Sequence, residues 1–198
     1  MAVVESSKLR QVLSEWLSSR KPKTLGDLIE AFKEKGFAVL FLLLMIFPAM
    51  PLPTGGVTHI FELIVMLLSI ELVAGKDTVW LPKSWLNKEL PASLRTSALP
   101  KLISLTKFIE KHTKPRLAKL QSSKLGGRIT GLVVLLFSIF AFLAPPFSGL
   151  DTLPSLGVVL IALALIFEDA LLSLIGLLAG GIGIGLVIIL GKVAFQLL

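Results

Sequence analysis

Apolar positions in this chain gather into two long blocks, Phe37–Gly75 and Ile129–Leu190, and charged positions fill the stretches before and between them. Ahead of the first block, Leu9, Val12, Leu13, Trp16 and Leu17 recur at helical spacing and predict a short amphipathic helix over residues 7–20. A second is predicted in TLGDLIEAFKEKG, where Thr24 and Asp27 make an N-cap signature, Leu25, Leu28, Ile29 and Phe32 form the stripe, and Gly36 is the stop. Such helices suit a membrane surface or the protein's own polar face, and two ordinary helices on a small core would show the same stripe.

The opening run of the first block, FAVLFLLLMIF (37–47), spans only ~16 Å as a helix, about half of a ~30 Å hydrocarbon layer. Pro48, Pro51 and Pro53 then remove backbone donors, and Gly55 and Gly56 follow, so the chain is expected to break and return through VTHIFELIVMLLSIELVAG (57–75). The second block repeats this order: ITGLVVLLFSIFAFLA, the breaker PPFSGLDTLP with Pro145, Pro146 and Pro154, and SLGVVLIALALIF. Two broken helical hairpins, spanning or re-entrant, are therefore predicted. An internal, inverted repeat would explain them, and so would two unrelated proline-broken hairpins.

The expected organisation is amphipathic helices over 1–36, a broken hairpin over 37–75, a basic interfacial linker over 76–128, a second broken hairpin over 129–168 and a transmembrane helix over 170–191. The class is an all-α integral membrane protein. Gly176/Gly180 and Gly181/Gly185 give the last helix small residues at four-residue spacing, suited to close packing within the chain or in a homo-oligomer; glycine is also simply frequent in membrane helices.

Composition supports a lipid solvent: 54% of the 198 residues are hydrophobic and 17% charged. The net charge of +7 would suit nucleic acid, but the Lys and Arg flank the apolar blocks. Cytoplasmic positive charge and anionic headgroups explain them more simply, and no nucleic-acid partner is expected. The linker holds twelve Lys and Arg against three acids. Within it Leu102, Ile103, Leu105, Phe108 and Ile109 alternate with Lys101, Lys107 and Lys111 as in an interfacial helix, and Trp80 and Trp85 fit the headgroup boundary. The N-terminus and linker are thus expected on the cytoplasmic side. There is no cysteine, so thiolate chemistry is excluded, and neither metal nor cofactor is expected.

Ionisable groups in apolar segments are costly and mark candidate sites. His59 and Glu62 share one helical face just after the first break and would share a proton, meet a headgroup, or merely satisfy freed backbone groups. Asp151 in the second break is expected to cap the following helix, Glu168-Asp169 to form a watery turn, and Glu71 to reach the surface. Helix starts after PLPTGG and SGLDTLP would offer N–H groups to an anion, giving a candidate substrate site of Pro53, Thr54, Gly55, Gly56, His59, Glu62, Pro146, Ser148, Asp151 and Thr152. His112 lies in the basic linker, no catalytic set is recognisable, and an enzyme is not expected.

Gly26-Asp27, Gly36-Phe37, the Pro48/Pro51/Pro53 cluster, Trp80-Leu81-Pro82 and the acidic pair after the second hairpin together resemble the bacterial exopolysaccharide synthesis ExoD family over most of the chain. Ala170 stands where that family typically has glycine, and Glu71 where it often has an amide. The resemblance implies a multi-pass protein of the bacterial plasma (inner) membrane that supports exopolysaccharide production, and it carries no catalytic residue set. Three functions then compete. The first is binding or transport of a lipid-linked or anionic substrate, such as a polyprenyl-phosphate or glycolipid, at the paired breaks. The second is a non-transporting accessory subunit that scaffolds polysaccharide assembly proteins. The third is proton or cation exchange.

Overall fold

Thr24 and Asp27 start the first helix by mutual capping. The Asp27 amide donates to Thr24 Oγ1 at 3.1 Å, while Asp27 Oδ2 accepts from the Thr24 amide at 3.2 Å and from its hydroxyl at 2.6 Å. This is seen in a computed structural model of the chain that describes residues 24–32, 35–51, 58–87, 89, 123–145 and 147–196. The amphipathic helix expected over 7–20, the interfacial helix around 102–109, His112, Pro146 and the segment holding Pro53, Thr54, Gly55 and Gly56 lie outside the described residues.

The described residues form helices α1 (Leu25–Phe32), α2 (Gly36–Met45), α3 (Thr58–Val73), α4 (Lys83–Leu86), α5 (Lys124–Leu143), α6 (Thr152–Phe167) and α7 (Ala170–Gln196). The only pairing outside them, among those residues, is an isolated bridge between Thr24 and Glu89. Two helices, Lys124–Leu143 and Ala170–Val193, are long and apolar enough to cross a membrane.

Helices α2 and α6 are apolar on every side, which a helix tolerates only when it is surrounded. Phe41, Met45, Val158, Ala162 and their neighbours are buried all round, and the two helices pack on each other at the centre. Around them α3 packs on α5, and α7 packs along α6. These outer helices bury only one side each. Ile60, Leu67 and Ile70 of α3, Leu132 and Leu136 of α5, and Leu174, Leu178 and Ile182 of α7 are exposed.

Small residues set the closest contacts. A Cβ on Gly157 would stand 2.7 Å from Gly180 Cα, one on Gly176 3.0 Å from Gly157 O, and one on Gly183 2.5 Å from Pro154 Cδ. Gly180 itself lies under the Phe137 ring. Gly176 and Gly180 are thus packing residues, as expected. For Gly181 and Gly185 the expectation of close packing within the chain is corrected. A Cβ built on Gly181 meets nothing within 4 Å, and a Cβ built on Gly185 also meets nothing within 4 Å, so neither glycine brings α7 against a neighbouring helix. Helix rotation is the reason: Gly181 is one residue past Gly180 and Gly185 two past Gly183, about 100° and 200° around α7 from the residues that touch α6.

The two hairpins run the same way. The starts of α2 and α5 and the ends of α3 and α6 gather at one end, where Phe37, Leu72, Lys124 and Leu165 line a common cavity, and both breaks lie at the other. An inverted repeat requires opposite directions, and the described helices do not show that relation.

Some boundaries also move. Helix α5 starts at Lys124, five residues before the apolar run, because Ser123 Oγ accepts from the Gly126 amide at 3.0 Å. Helix α6 starts at Thr152, so Pro154 is not part of the break; it occupies the first turn, where its missing donor costs little. Helix α7 continues to Gln196.

Candidate functional site

The breaks bring the starts of α3 and α6 together. After α2 the chain leaves the helix through the Ile46–Ala49 turn, with Pro48 buried and Pro51 exposed. In the second break Pro145 ends α5, and Phe147 and Gly149 take left-handed backbone with φ of 65° and 68°. Ser148 stitches this loop, its hydroxyl donating to Pro145 O at 2.6 Å and accepting from the Leu150 amide at 3.2 Å. Ser148 is exposed, so of the candidate substrate-site residues it serves the loop.

Across the gap, Thr58 Oγ1 of α3 lies 3.5 Å from Asp151 Oδ2 at the start of α6. One turn into α3, His59 Nδ1 is 3.5 Å from Glu62 Oε2, and the His59 ring lies against Phe142 of α5 with centroids 5.3 Å apart. Glu62 is fully buried, and among the described residues neither of its oxygens has a hydrogen-bond partner. The His59–Glu62 contact is close but lacks hydrogen-bond geometry, so His59 Nδ1 is likewise unsatisfied. Ser155, four residues after Asp151 and so on the same face of α6, buries a hydroxyl Oγ that has no partner among the described residues.

Asp151 stands at the N-cap position of α6, but with helical backbone and without the usual side-chain capping hydrogen bond; its carboxylate also faces Thr58. Thr152 follows as the first helical residue. Sequence reasoning missed Thr58 and Ser155, since hydroxyls are ordinary in apolar helices. The available signal was the four-residue spacing from Asp151 to Ser155.

The acidic pair after α6 is also different from a solvated turn. Glu168 takes left-handed backbone with φ of 55° and lies 3.4 Å from Lys35 Nζ, which also donates to Ile166 O at 2.9 Å. Asp169 is buried and caps α7, its Oδ1 accepting from the Leu171 amide at 2.7 Å. Glu71 braces the segment after α3, accepting from Lys76 Nζ and from the Trp80 amide, each at 3.0 Å. Among the described residues no group of three or more His, Cys, Asp or Glu side chains is placed to hold a metal ion.

Comparison with known proteins gives this architecture a family. No solved structure matches the chain. It is 27% identical over 175 residues to the uncharacterised protein slr1875 of Synechocystis sp., covering 87% of this chain and 82% of that one. It is 29% identical over 152 residues to Protein ExoD of Rhizobium meliloti, covering 75% of this chain and 62% of that protein's length. The sequence model of the family described as "Exopolysaccharide synthesis, ExoD" matches residues 6–189, nearly the whole chain, and the protein belongs to that family.

Proposed function

We propose that this is a multi-pass inner-membrane protein supporting exopolysaccharide synthesis, and that its paired helix breaks hold a proton-carrying site. Family membership supports the physiological role. The apolar outer faces of α3, α5 and α7 support embedding in lipid, because so much exposed apolar surface is unusual on a monomeric soluble protein. Positive charge on Lys35, Lys76 and Lys124 at the end where the hairpins begin and finish supports a cytoplasmic location for that end.

One observation carries the proton reading: among the described residues Glu62 is sealed from solvent with both carboxylate oxygens unpartnered, beside His59 and on the helix whose Thr58 meets Asp151. Eleven residues separate Glu62 from the end of α3, about 17 Å of helix, which puts it near the middle of a ~30 Å hydrocarbon layer. An ionised carboxylate there costs several kcal/mol unless paired. A proton on Glu62 removes that cost, and His59, whose Nδ1 is 3.5 Å from the carboxylate, gives it a neighbouring acceptor. The same geometry argues against a phosphate at the breaks, where it would meet two acidic side chains.

Reconstituted in liposomes carrying an internal pH dye, the wild type is expected to equilibrate an imposed pH difference faster than empty liposomes. Glu62→Gln is expected to reduce that rate at least tenfold. Equal rates for the two proteins would remove the proton reading and favour an accessory subunit acting through the basic linker.

A further inference from the structure

We propose a second site, at the end of the molecule opposite the breaks: a basic cavity that binds a phosphate-monoester headgroup. The cavity has a volume of about 470 Å³ and lies between the starts of α2 and α5 and the ends of α3 and α6. That is within the roughly 300–1,000 Å³ usual for small-ligand sites. Lys35, Lys76 and Lys124 line it from three different elements, against the acids Asp77 and Glu168.

Arg128 lies beside the cavity at Gly75, which has left-handed backbone with φ of +84°; its guanidinium occupies the space a side chain there would take, with Nη2 3.1 Å from the position of a Cβ. The three lining lysines exceed the two lining acids by one charge, while Glu168 takes up part of the Lys35 charge and Glu71, from outside the cavity, part of that of Lys76. Lys35 is held in place by the Ile166 carbonyl and is only 18% exposed, so its position is fixed before any ligand arrives. Preorganised cations of this kind favour a doubly charged phosphate over a zwitterionic headgroup.

The walls indicate what carries the phosphate. Leu72 and Leu165 supply apolar surface beside the charged rim. Lys76 Nζ lies 5.6 Å from the Trp80 ring centre, and Trp80 is exposed at the same end, as at a headgroup boundary. A charged rim over apolar walls fits the junction of a headgroup and its lipid chain.

The test is the lipid composition around the protein reconstituted in nanodiscs of mixed phosphatidylcholine and phosphatidic acid, with inorganic phosphate added as competitor. Phosphatidic acid is expected to be enriched around the protein. Lys76 and Lys124 are exposed, so K76Q and K124Q leave the fold intact, and each is expected to weaken enrichment roughly fivefold, the equivalent of about 1 kcal/mol. Asp77→Asn is expected to strengthen it, and Glu62→Gln to leave it unchanged, which separates this site from the breaks. Competition by inorganic phosphate would identify free phosphate as a ligand too; its absence would identify the lipid form. Phosphatidic acid no more abundant around the protein than in the bulk lipid, or enrichment indifferent to K76Q, K124Q and Asp77→Asn together, would overturn the proposal.

Discussion

A methyl group added at Gly180 would run into the Phe137 ring, and one at Gly157 into the backbone of α7, whereas one at Gly181 or at Gly185 meets open space. Gly180→Ala is therefore expected to destabilise the protein by about 1–3 kcal/mol through overpacking, and Gly181→Ala and Gly185→Ala to change little. Thermal unfolding in detergent, comparing the three variants, checks this; equal melting temperatures would contradict the packing described. At this scale Glu62 and His59 were legible because charge in an apolar run stands out. Asp151 was legible as the residue that opens α6, whereas its contact with Thr58 was not, because Thr58 lies 93 positions away. Gly181 and Gly185 were misread because four-residue spacing puts them on equal terms with Gly176 and Gly180, and only the rotation of α7 against α6 tells the two pairs apart.

Helix starts illustrate what hydropathy hides. Apolar runs located α2, α3, α5, α6 and α7, but the true beginnings of α5 and α6 depend on Ser123 as a cap and on Pro154 being harmless in a first turn. Ser123→Ala is expected to cost about 1 kcal/mol by leaving the Gly126 amide without its acceptor. The strap after α3 depends on Glu71 alone for the Lys76 and Trp80 contacts described. Because that pair is half-exposed, Glu71→Ala is expected to change global stability by under about 1 kcal/mol while raising protease cleavage between residues 76 and 87. Unchanged cleavage would show that the strap is held by other contacts.

On the scale of the whole molecule, both hairpins start and end at the same face, which under the membrane arrangement proposed makes α7 the unpaired crossing. The chain contains no cysteine, which allows single cysteines to be placed cleanly. Ser84→Cys in α4 is expected to react with a membrane-impermeant maleimide only from the cytoplasmic side, and Gln196→Cys at the end of α7 only from the other. Labelling of both from one side would contradict the membrane arrangement proposed.

The proton-carrying site is tested most directly by infrared spectroscopy of the membrane-reconstituted protein at neutral pH, comparing wild type with Glu62→Gln. The account predicts a carbonyl band of a protonated carboxylic acid in the wild type that is missing from Glu62→Gln. Identical spectra, with no protonated acid assignable to Glu62, would contradict it.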